Sequence, residues 1–317
     1  MSESLFVGVD LGGTAIKVGL CNATGDLLRT YEGPTQTADG ADAVLSNIAA
    51  YVKVLVPPGT PEWEAVAGVG IGIAGFLDIP NGIINFSPNL PFKDVPAKQI
   101  MEEKIGKPVK INNDANVAAL GEAWGGAGKN IPHCVCYTLG TGVGGGIILH
   151  DRLIEGYTGM AGELGHMSIV PDLEAIQCGC GKMGCLETVS SATGIIRMAK
   201  DAVDRGDKTT LTFVEEEMTA KHVFDAAKAG DEVAQRIVSR AAYYLGKSMA
   251  AVAVVVNPQR FIVGGGVSKA GEYLFEQIRE VFHKLTPENA REGVEIVAAE
   301  LGNNAGVVGA AGLFLRA

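Results

Sequence analysis

One short segment of the chain gathers three thiols and one imidazole at spacings that fit a metal site. It runs from His166 to Glu187 and reads HMSIVPDLEAIQCGCGKMGCLE, in which His166, Cys178, Cys180 and Cys185 follow the pattern H-x11-C-x-C-x4-C. These ligands fill the four positions of a closed tetrahedral zinc site, whereas a catalytic zinc keeps one position open. Three of the chain's six cysteines fall in this segment, which favours zinc over free thiols beside an unrelated histidine. We therefore predict a structural Zn²⁺ ion held by these four residues.

Two carboxylates flank the metal segment. Glu163 stands three residues before His166, and Glu187 stands two residues after Cys185. Folding around a metal ion would carry both carboxylates to the same place, where they could accept hydrogen bonds from a polar ligand.

Length and charge favour an enzyme over a nucleic-acid or membrane protein. The chain has 317 residues, enough for about two domains with cores of their own. A net charge of -10 and the lack of a basic patch argue against nucleic-acid binding. The longest uncharged stretch, 131–150, contains five glycines, which suits a hairpin better than a membrane helix. Met1 leads directly into an apolar run with no charged signal region, and the remaining cysteines are expected to be reduced, so we predict a cytoplasmic protein.

The periodicity of apolar residues predicts alternating strands and helices, as in α/β proteins. Predicted strands cover 5–10, 15–21, 66–73, 109–112, 134–139, 146–150, 260–263 and 294–298. Predicted helices cover 41–56, 98–105, 113–124, 188–205, 220–229, 232–256, a segment ending near 285, and 306–316. A strand, glycine turn and strand occur at the N-terminus and again at 134–150, which indicates two related halves.

Three glycine-rich turns each follow an apolar strand. They read DLGGT from Asp10, LGTGVGGG from Leu139 and GGGVS from Gly264. Small residues let backbone N–H groups point at an anion, so such turns are typical of phosphate sites, although each alone also fits an ordinary tight turn. Neither a Walker sequence nor a dinucleotide-binding G-x-G-x-x-G that opens a first helix is present. Asp10 could hold Mg²⁺ through water, or it could simply initiate its turn.

The sequence NNDAN, at 112–116, follows a predicted strand and opens a predicted helix. An aspartate in the first turn of a helix feels the positive end of the helix dipole, so we expect a lowered pKa for Asp114. Such a carboxylate can serve as the base of a phosphoryl transfer, because the attacking hydroxyl loses its proton late. The alternative is that these residues only cap the helix.

These motifs occur together in one known family. DLGGT, the Ala74-Gly75 strand end, NDAN, LGTGVGGG, GELGH, CGCGKMGCLE and GGGVS stand in the order of the ROK sugar kinases, and the chain resembles the bacterial ROK-family glucokinases over essentially its whole length. The resemblance implies an α/β, two-domain, actin-like (ribonuclease H-like) fold in which ATP and sugar meet in a cleft. It further implies a small domain of residues 1–120 plus 303–317, a large domain of residues 121–302, and a homodimer or homotetramer.

The resemblance also assigns roles to residues. Asp114 looks like the catalytic base that accepts the proton of the sugar's 6-hydroxyl. Sugar contacts are implied for Asp114 and for Gly75, Asn89, Asn113, Glu163, His166 and Glu187. Contacts with ATP and its Mg²⁺ are implied for Asp10, Gly12, Gly13, Thr14, Thr141, Gly142, Gly265 and Gly266.

Physical chemistry agrees with the proposed sugar site. A carboxylate such as Glu163 or Glu187 can accept hydrogen bonds from two vicinal hydroxyls. His166 can place one ring nitrogen on zinc and donate the other N–H to a sugar oxygen. Many relatives have lysine directly after the threonine of DLGGT, whereas here the lysine is Lys17. Strand alternation would put Lys17 and Thr14 on opposite faces, so we expect Lys17 to be a surface residue outside the phosphate site.

The predicted function is ATP-dependent phosphorylation of glucose at its 6-hydroxyl, which gives glucose 6-phosphate and ADP. A ROK kinase for N-acetylmannosamine, fructose, mannose or allose remains an alternative, although the pairing of Glu163 with Glu187 fits glucose best. ROK transcriptional repressors carry a helix-turn-helix segment ahead of the first glycine turn, and the nine residues before Asp10 leave no room for it.

Overall fold

The computed structural model describes residues 4–213 and 217–316, in which strands and helices alternate. The strands are β1 (Leu5–Leu11), β2 (Ala15–Cys21), β3 (Leu27–Pro34), β4 (Val66–Ile73), β5 (Phe76–Asp78), β6 (Ile83–Phe86), β7 (Lys93–Val95), β8 (Val109–Asn113), β9 (His133–Leu139), β10 (Val143–Leu149), β11 (Arg152–Leu153), β12 (Arg260–Gly264) and β13 (Glu295–Ala298). The helices are α1 (Ala41–Leu55), α2 (Pro61–Ala65), α3 (Ala97–Ile105), α4 (Asp114–Gly125), α5 (Glu187–Ser190), α6 (Ala192–Asp204), α7 (Ala220–Lys228), α8 (Glu232–Val256), α9 (Glu272–Leu285), α10 (Glu288–Arg291) and α11 (Ala305–Arg316).

One predicted helix is divided in the structure. The single helix expected over 188–205 is wrong, because α5 ends at Ser190 and α6 begins at Ala192. Between them Ser191 is extended, with φ -79° and ψ 163°, and its side-chain oxygen accepts the backbone N–H of Gly194 at 3.0 Å. Serine at this position caps the new helix by replacing an intrahelical bond that the first turn lacks.

The chain divides into two compact units. The first comprises the described residues among 1–134, 146–162 and 300–317, and the second comprises those among 135–145 and 163–299. In both units the chain leaves and returns, so neither is one continuous segment. The domain boundaries implied by the family resemblance, 1–120 plus 303–317 and 121–302, stay a prediction.

The first unit contains a five-stranded sheet in the order β3-β2-β1-β4-β8. Strands β1, β4 and β8 are parallel, and their register aligns Leu11 with Ile73 and Ile73 with Asn113. Carboxyl ends of parallel strands lie at one edge of a sheet, which is where open α/β sheets bind ligands. This register therefore places the ends of three strands, and the residues that follow them, at the same edge.

The two faces of this sheet are covered differently. Residues Val7, Val9 and Leu11 of β1 belong to a buried cluster with apolar residues of α1 and α3. On the other face, a Cβ added to Gly8 would lie 1.8 Å from the carbonyl oxygen of Val307 in α11. Only glycine fits such an approach, so α11 lies directly on the backbone of the sheet.

A smaller antiparallel sheet, β5-β6-β7, also belongs to the first unit, and the sequence did not predict it. Its strands have only three or four residues each. Runs this short carry too little alternation to be separated from loops.

A second five-stranded sheet has the order β11-β10-β9-β12-β13, with β12 and β13 parallel. In the second unit, the 25-residue helix α8 packs against α5, α6, α7 and α9. The buried hydroxyl groups of Tyr137 in β9 and Ser248 in α8 form a hydrogen bond of 2.8 Å. Among residues 4–213 and 217–316, no helix combines the length and apolar character needed to cross a membrane.

Candidate active site and metal centre

The junction between β8 and α4 carries the predicted base. Asn113 is the last residue of β8, and its side-chain oxygen accepts the backbone N–H groups of Ala115 at 2.9 Å and Asn116 at 3.2 Å. Asn113 is thus the N-cap of α4, and Asp114 occupies the first helical position. Because the side-chain oxygen of Asn113 accepts the cap hydrogen bonds, its side-chain nitrogen Nδ2 is the group left to donate to a ligand.

The carboxyl of Asp114 has a pKa above its ordinary value of 3.8. Burial is the main cause, and hydrogen bonds from the backbone N–H groups of Ala115 and of Asp114 itself oppose it. The lowered pKa expected from the helix dipole is therefore wrong, because loss of hydration outweighs the N-terminal amides. A more basic carboxylate is better suited to accept a proton from a hydroxyl.

Asp10, near the end of β1, lies close to Asp114. The pKa of Asp10 is raised from 3.8 to about 6. Burial is the largest cause, the charge of Asp114 contributes to the rise, and Lys17 opposes it. A Cβ added to Gly306, in the first turn of α11, would lie 2.7 Å from Oδ2 of Asp10. Two neighbouring, partly dehydrated carboxylates are an arrangement that a divalent cation would stabilise.

Lys17 belongs to this cluster and is not a free surface residue. It is the cross-strand partner of Asp10, and its Nζ donates to Asn304 Oδ1 at 2.5 Å and to the Asn303 carbonyl at 3.3 Å. The expectation that Lys17 is a surface residue is thus wrong. Thr14 lies in the turn before β2 begins, so strand alternation counted from Thr14 does not apply to Lys17.

The first glycine turn is closed by Thr35. The Thr35 side chain donates to the carbonyl of Gly12 at 2.6 Å, and its backbone N–H donates to the carbonyl of Thr14 at 3.0 Å. Gly13 and Thr14 are exposed at the tip of the turn. A Cβ added to Gly13 would lie 3.7 Å from the carbonyl oxygen of Asn89, so the predicted sugar residue Asn89 lies beside this turn.

Gly75 follows the end of β4 in a conformation that excludes other residues. Its φ is 147°, and an added Cβ would lie 2.4 Å from the carbonyl oxygen of Phe86. Ser87 donates to the carbonyl of Ala74 at 2.6 Å and holds this turn closed. Gly75 therefore keeps the backbone tight at the sheet edge where β1 and β8 also end.

The four predicted metal ligands lie together in the second unit. One ligand atom from each of His166, Cys178, Cys180 and Cys185 lies within 4.8 Å of all the others. Cys178 Sγ is 3.7 Å from His166 Nδ1, and Cys180 Sγ is 3.7 Å from Cys185 Sγ. Ligands at ~2.3 Å from a tetrahedral zinc ion are about 3.8 Å apart. The cluster therefore has the dimensions of a closed four-ligand metal site.

His166 turns its two ring nitrogens to different neighbours. Nδ1 faces Cys178, and Nε2 lies 4.0 Å from Glu163 Oε2. The side chains of His166 and Glu163 are 38% and 37% exposed, so both can meet a ligand from solvent. A metal on Nδ1 would leave the proton on Nε2, where it can be donated.

Glu187 links the cysteine cluster to the second glycine turn. It begins α5, its Oε2 accepts the backbone N–H of Val143 at 2.9 Å, and its Oε1 lies 3.6 Å from Cys178 Sγ. A Cβ added to Gly142 would lie 2.2 Å from Oε2. A carboxylate has about four acceptor sites, so Glu187 keeps capacity for a ligand while it holds the turn.

The second and third glycine turns lie next to each other in the second unit. Gly265 has φ 84°, and an added Cβ would lie 2.4 Å from the carbonyl oxygen of Leu139. Thr141, Gly265 and Gly266 are exposed. The structure therefore groups the predicted nucleotide residues Thr141, Gly142, Gly265 and Gly266.

Comparison with known proteins identifies the family. Residues 6–317 match the ROK family. The chain belongs to the ROK family. It is 41% identical over 312 residues to a ROK relative, the glucokinase of Halalkalibacterium halodurans, an alignment that covers 98% of this chain and 94% of the relative.

Two solved ROK structures are similar over nearly the whole chain. A ROK family glucokinase from Streptomyces griseus, in complex with glucose and AMPPNP, is 37% identical with a TM-score of 0.77 and covers 98% of this chain and 99% of its own. A ROK hexokinase from Thermus thermophilus is 33% identical with a TM-score of 0.82 and covers 97% and 96%. The predicted α/β, actin-like sugar kinase fold of the ROK family is confirmed.

Three residues of the site were missed by sequence reasoning: Lys17, Asn304 and Glu155. Lys17 and Asn304 are 287 residues apart, and Glu155 is 43 residues from its partner Asn112. No local pattern marks such pairs, because strand register and chain return bring them together. In a ROK chain the motifs reveal residues within turns but not those that brace the turns from elsewhere.

Proposed function

We propose that this chain is a glucokinase that transfers the γ-phosphoryl group of ATP to the 6-hydroxyl of glucose. The observation that carries the proposal is a partly dehydrated Asp114 at the capped start of α4, within a chain that resembles glucokinases along nearly its whole length. A general base must combine position and basicity, and this residue has a fixed position and a raised pKa.

In the proposed reaction, the 6-hydroxyl oxygen of glucose bonds to the γ-phosphorus as the bond between that phosphorus and the β,γ-bridging oxygen breaks. ADP leaves with the electron pair of the broken bond, and Asp114 accepts the hydroxyl proton. Positioning and charge stabilisation supply most of the rate in such transfers. Asp114 contributes by holding the hydroxyl oxygen in line and by taking its proton late.

The sugar contacts would divide by chemistry. The amide nitrogen of Asn113 and the Nε2–H of His166 donate hydrogen bonds. The carboxylates of Glu163 and Glu187 accept them, each from one or two hydroxyl groups. Gly75 and Asn89 shape the turns beside β4 and β1. The order of donors and acceptors around the ring would select the stereochemistry of the sugar.

The nucleotide contacts would come mainly from backbone N–H groups. Three turns present small residues that let a phosphate approach the main chain. They contain Gly12, Gly13 and Thr14; Thr141 and Gly142; and Gly265 and Gly266. Asp10 supplies carboxylate oxygens of the kind that Mg²⁺ prefers. When bound, Mg²⁺ would neutralise charge on the phosphates.

We further propose that Zn²⁺ occupies the cluster of His166, Cys178, Cys180 and Cys185. Their mutual distances fit a tetrahedral ion, and three thiolates with one imidazole nitrogen leave no open position for catalysis. The ion would fix the tautomer of His166 and the start of α5, and so would act on sugar binding rather than on chemistry.

Location and assembly complete the proposal. None of the six cysteines, all of which lie within the described residues, forms a disulfide, which supports a reducing compartment such as the cytoplasm. We propose a homodimer or homotetramer, to be tested by measuring mass in solution at micromolar concentration. A monomeric mass would refute this part.

A coupled assay with ATP across a panel of sugars tests the proposed activity. We expect kcat/KM for glucose to exceed that for mannose, fructose, allose and N-acetylmannosamine, with ADP formed in equal amount to glucose 6-phosphate. The Asp114→Asn variant serves as the negative control. A higher kcat/KM for another hexose would reassign the substrate, and the absence of ADP formation with every sugar would refute the kinase.

A further inference from the structure

A buried asparagine beneath the start of α4 connects residues on both sides of the predicted base. Asn112, in β8, is 1% exposed. Its Oδ1 accepts the backbone N–H of Asn113 at 2.8 Å and Nδ2 of Asn116 at 3.1 Å. Its Nδ2 donates to Glu155 Oε1 at 2.5 Å. The side chain of Asn112 thus makes three hydrogen bonds in three directions.

Chemistry dictates the orientation of this amide. An ionised carboxylate only accepts hydrogen bonds, so the nitrogen of Asn112 must face Glu155. The opposite end must then be the oxygen, which is the atom that the N–H of Asn113 and the amide of Asn116 require. Glu155 and the backbone N–H of Asn113 together fix which way Asn112 points, and Glu155 is the side chain that holds its nitrogen.

Asn116 depends on this arrangement. It is 2% exposed, and its Oδ1 has no hydrogen-bond partner within residues 4–213 and 217–316. Its amide is held through Nδ2 on Asn112. Asn113 precedes Asp114 and Asn116 follows it by two residues, so Asn112 anchors the first turn of α4 on both sides of the base.

We propose that Glu155 is a positioning residue for Asp114 and acts through Asn112. Glu155 lies just beyond β11, where its own carbonyl accepts the N–H of Ala161 at 3.1 Å. Loss of its carboxylate leaves the Nδ2 group of Asn112 buried without an acceptor, and Asn112 then turns or shifts. The first turn of α4 then moves with Asn112, and Asp114 loses its alignment with the 6-hydroxyl of the sugar. This inference rests on the proposed role of Asp114.

An exchange of donor and acceptor tests the proposal. In Asn112→Asp the carboxylate of residue 112 faces that of Glu155, and the pair repels. In the double variant Asn112→Asp with Glu155→Gln, the glutamine amide donates to the aspartate, whose other oxygen still accepts the two bonds from Asn113 and Asn116. The double variant restores every hydrogen bond with the roles reversed and keeps one negative charge in the pair.

We expect Glu155→Ala and Asn112→Asp to lower kcat by roughly 10- to 100-fold, as misplacement of a reacting group does. KM for ATP should stay within about twofold, because the glycine turns are untouched. Glu155→Gln keeps the acceptor oxygen and should retain kcat within about threefold. The double variant should be at least about threefold faster than Asn112→Asp. Glu64→Gln, at an exposed carboxylate of the same unit, is the control for loss of charge.

Hydrogen exchange supplies a readout that does not depend on turnover. The backbone amides of Ala115 and Asn116 should exchange faster in Asn112→Asp and recover protection in the double variant. Wild-type kcat in Glu155→Ala, or a double variant no faster and no better protected than Asn112→Asp, would overturn the proposal. If the wild-type chain phosphorylated no sugar, the proposed function would fail, but hydrogen exchange would still test the role of Glu155. Faster exchange in Asn112→Asp that is restored in the double variant would support that role at the helix start, and unchanged exchange would refute it.

Discussion

Replacement of Asp10 by asparagine should stabilise the protein while it impairs nucleotide use. The folded chain raises the pKa of Asp10 from 3.8 to about 6, chiefly because the carboxylate is buried. At ~1.4 kcal/mol for each pKa unit, this difference means that the ionised carboxylate destabilises the folded state by about 3 kcal/mol. Asparagine has the same shape and no charge, so it should release much of this free energy at neutral pH.

The sign of the pH dependence follows from the raised pKa. Below 3.8 the carboxyl is protonated in both the folded and the unfolded chain, so the variant and the wild type should be equally stable. Between 3.8 and about 6 the folded wild type binds its proton more tightly than the unfolded chain does, so wild-type stability falls as pH rises. The advantage of the variant should grow through this window and stay constant above it.

Thermal unfolding in magnesium-free buffer from pH 4 to 8 measures the effect. At ~2 to 4 °C for each kcal/mol, Asp10→Asn should raise Tm by about 5 to 10 °C at pH 7.5 and by little at pH 4. Asp39→Asn, at an exposed carboxylate of the same unit, should change Tm by less than about 1 °C. A variant that is less stable than the wild type at pH 7.5, or a gap that widens as the pH falls, would refute the reasoning.

Four other changes probe the rest of the site. Asp114→Asn should lower kcat by roughly 10² to 10⁴ while glucose binding stays within a few-fold, and near wild-type turnover would remove Asp114 from the role of base. Cys180→Ala should lose the bound metal, lower Tm and raise KM for sugar, and elemental analysis that finds no zinc in the wild type, purified without chelators, would refute the metal site. Lys17→Met should raise KM for ATP with Mg²⁺ by roughly tenfold, with partial rescue in Lys17→Arg, so an unchanged KM would contradict its place beside Asp10. Gly142→Ala should displace the carboxylate of Glu187 and raise KM for both substrates. A change in kcat alone, measured by steady-state kinetics, would disprove this.

Local signals predicted elements and turns where they were strong. β2, β4 and α8 have the bounds that apolar periodicity indicated, and α8 ends where Asn257 adopts a left-handed conformation before Pro258. The cysteine cluster was also readable, because its ligands lie within one short segment. The three-residue strand β5 carried too few residues for any period to be recognised.

Long-range structure was beyond the sequence for two physical reasons. The environment of Lys17 depends on the register between β1 and β2 and on the return of the chain at Asn304. The pKa of Asp114 depends on how deeply its helix start is buried, and the helix dipole gave the wrong sign because burial was not visible. The positions of the glycine turns depend on local sequence and were predicted, whereas solvation is a property of the folded surroundings and was not.

The packing of α11 imposes an order on folding during synthesis. Gly8 in β1 needs α11 against it, and Lys17 reaches an asparagine 287 residues later. Until α11 leaves the ribosome, the sheet face that α11 covers has no partner. The first strands therefore keep apolar surface exposed on that face. The second unit, whose segment 163–299 is complete earlier, can fold in the meantime. The part of the chain that is made first is therefore the part that is finished last.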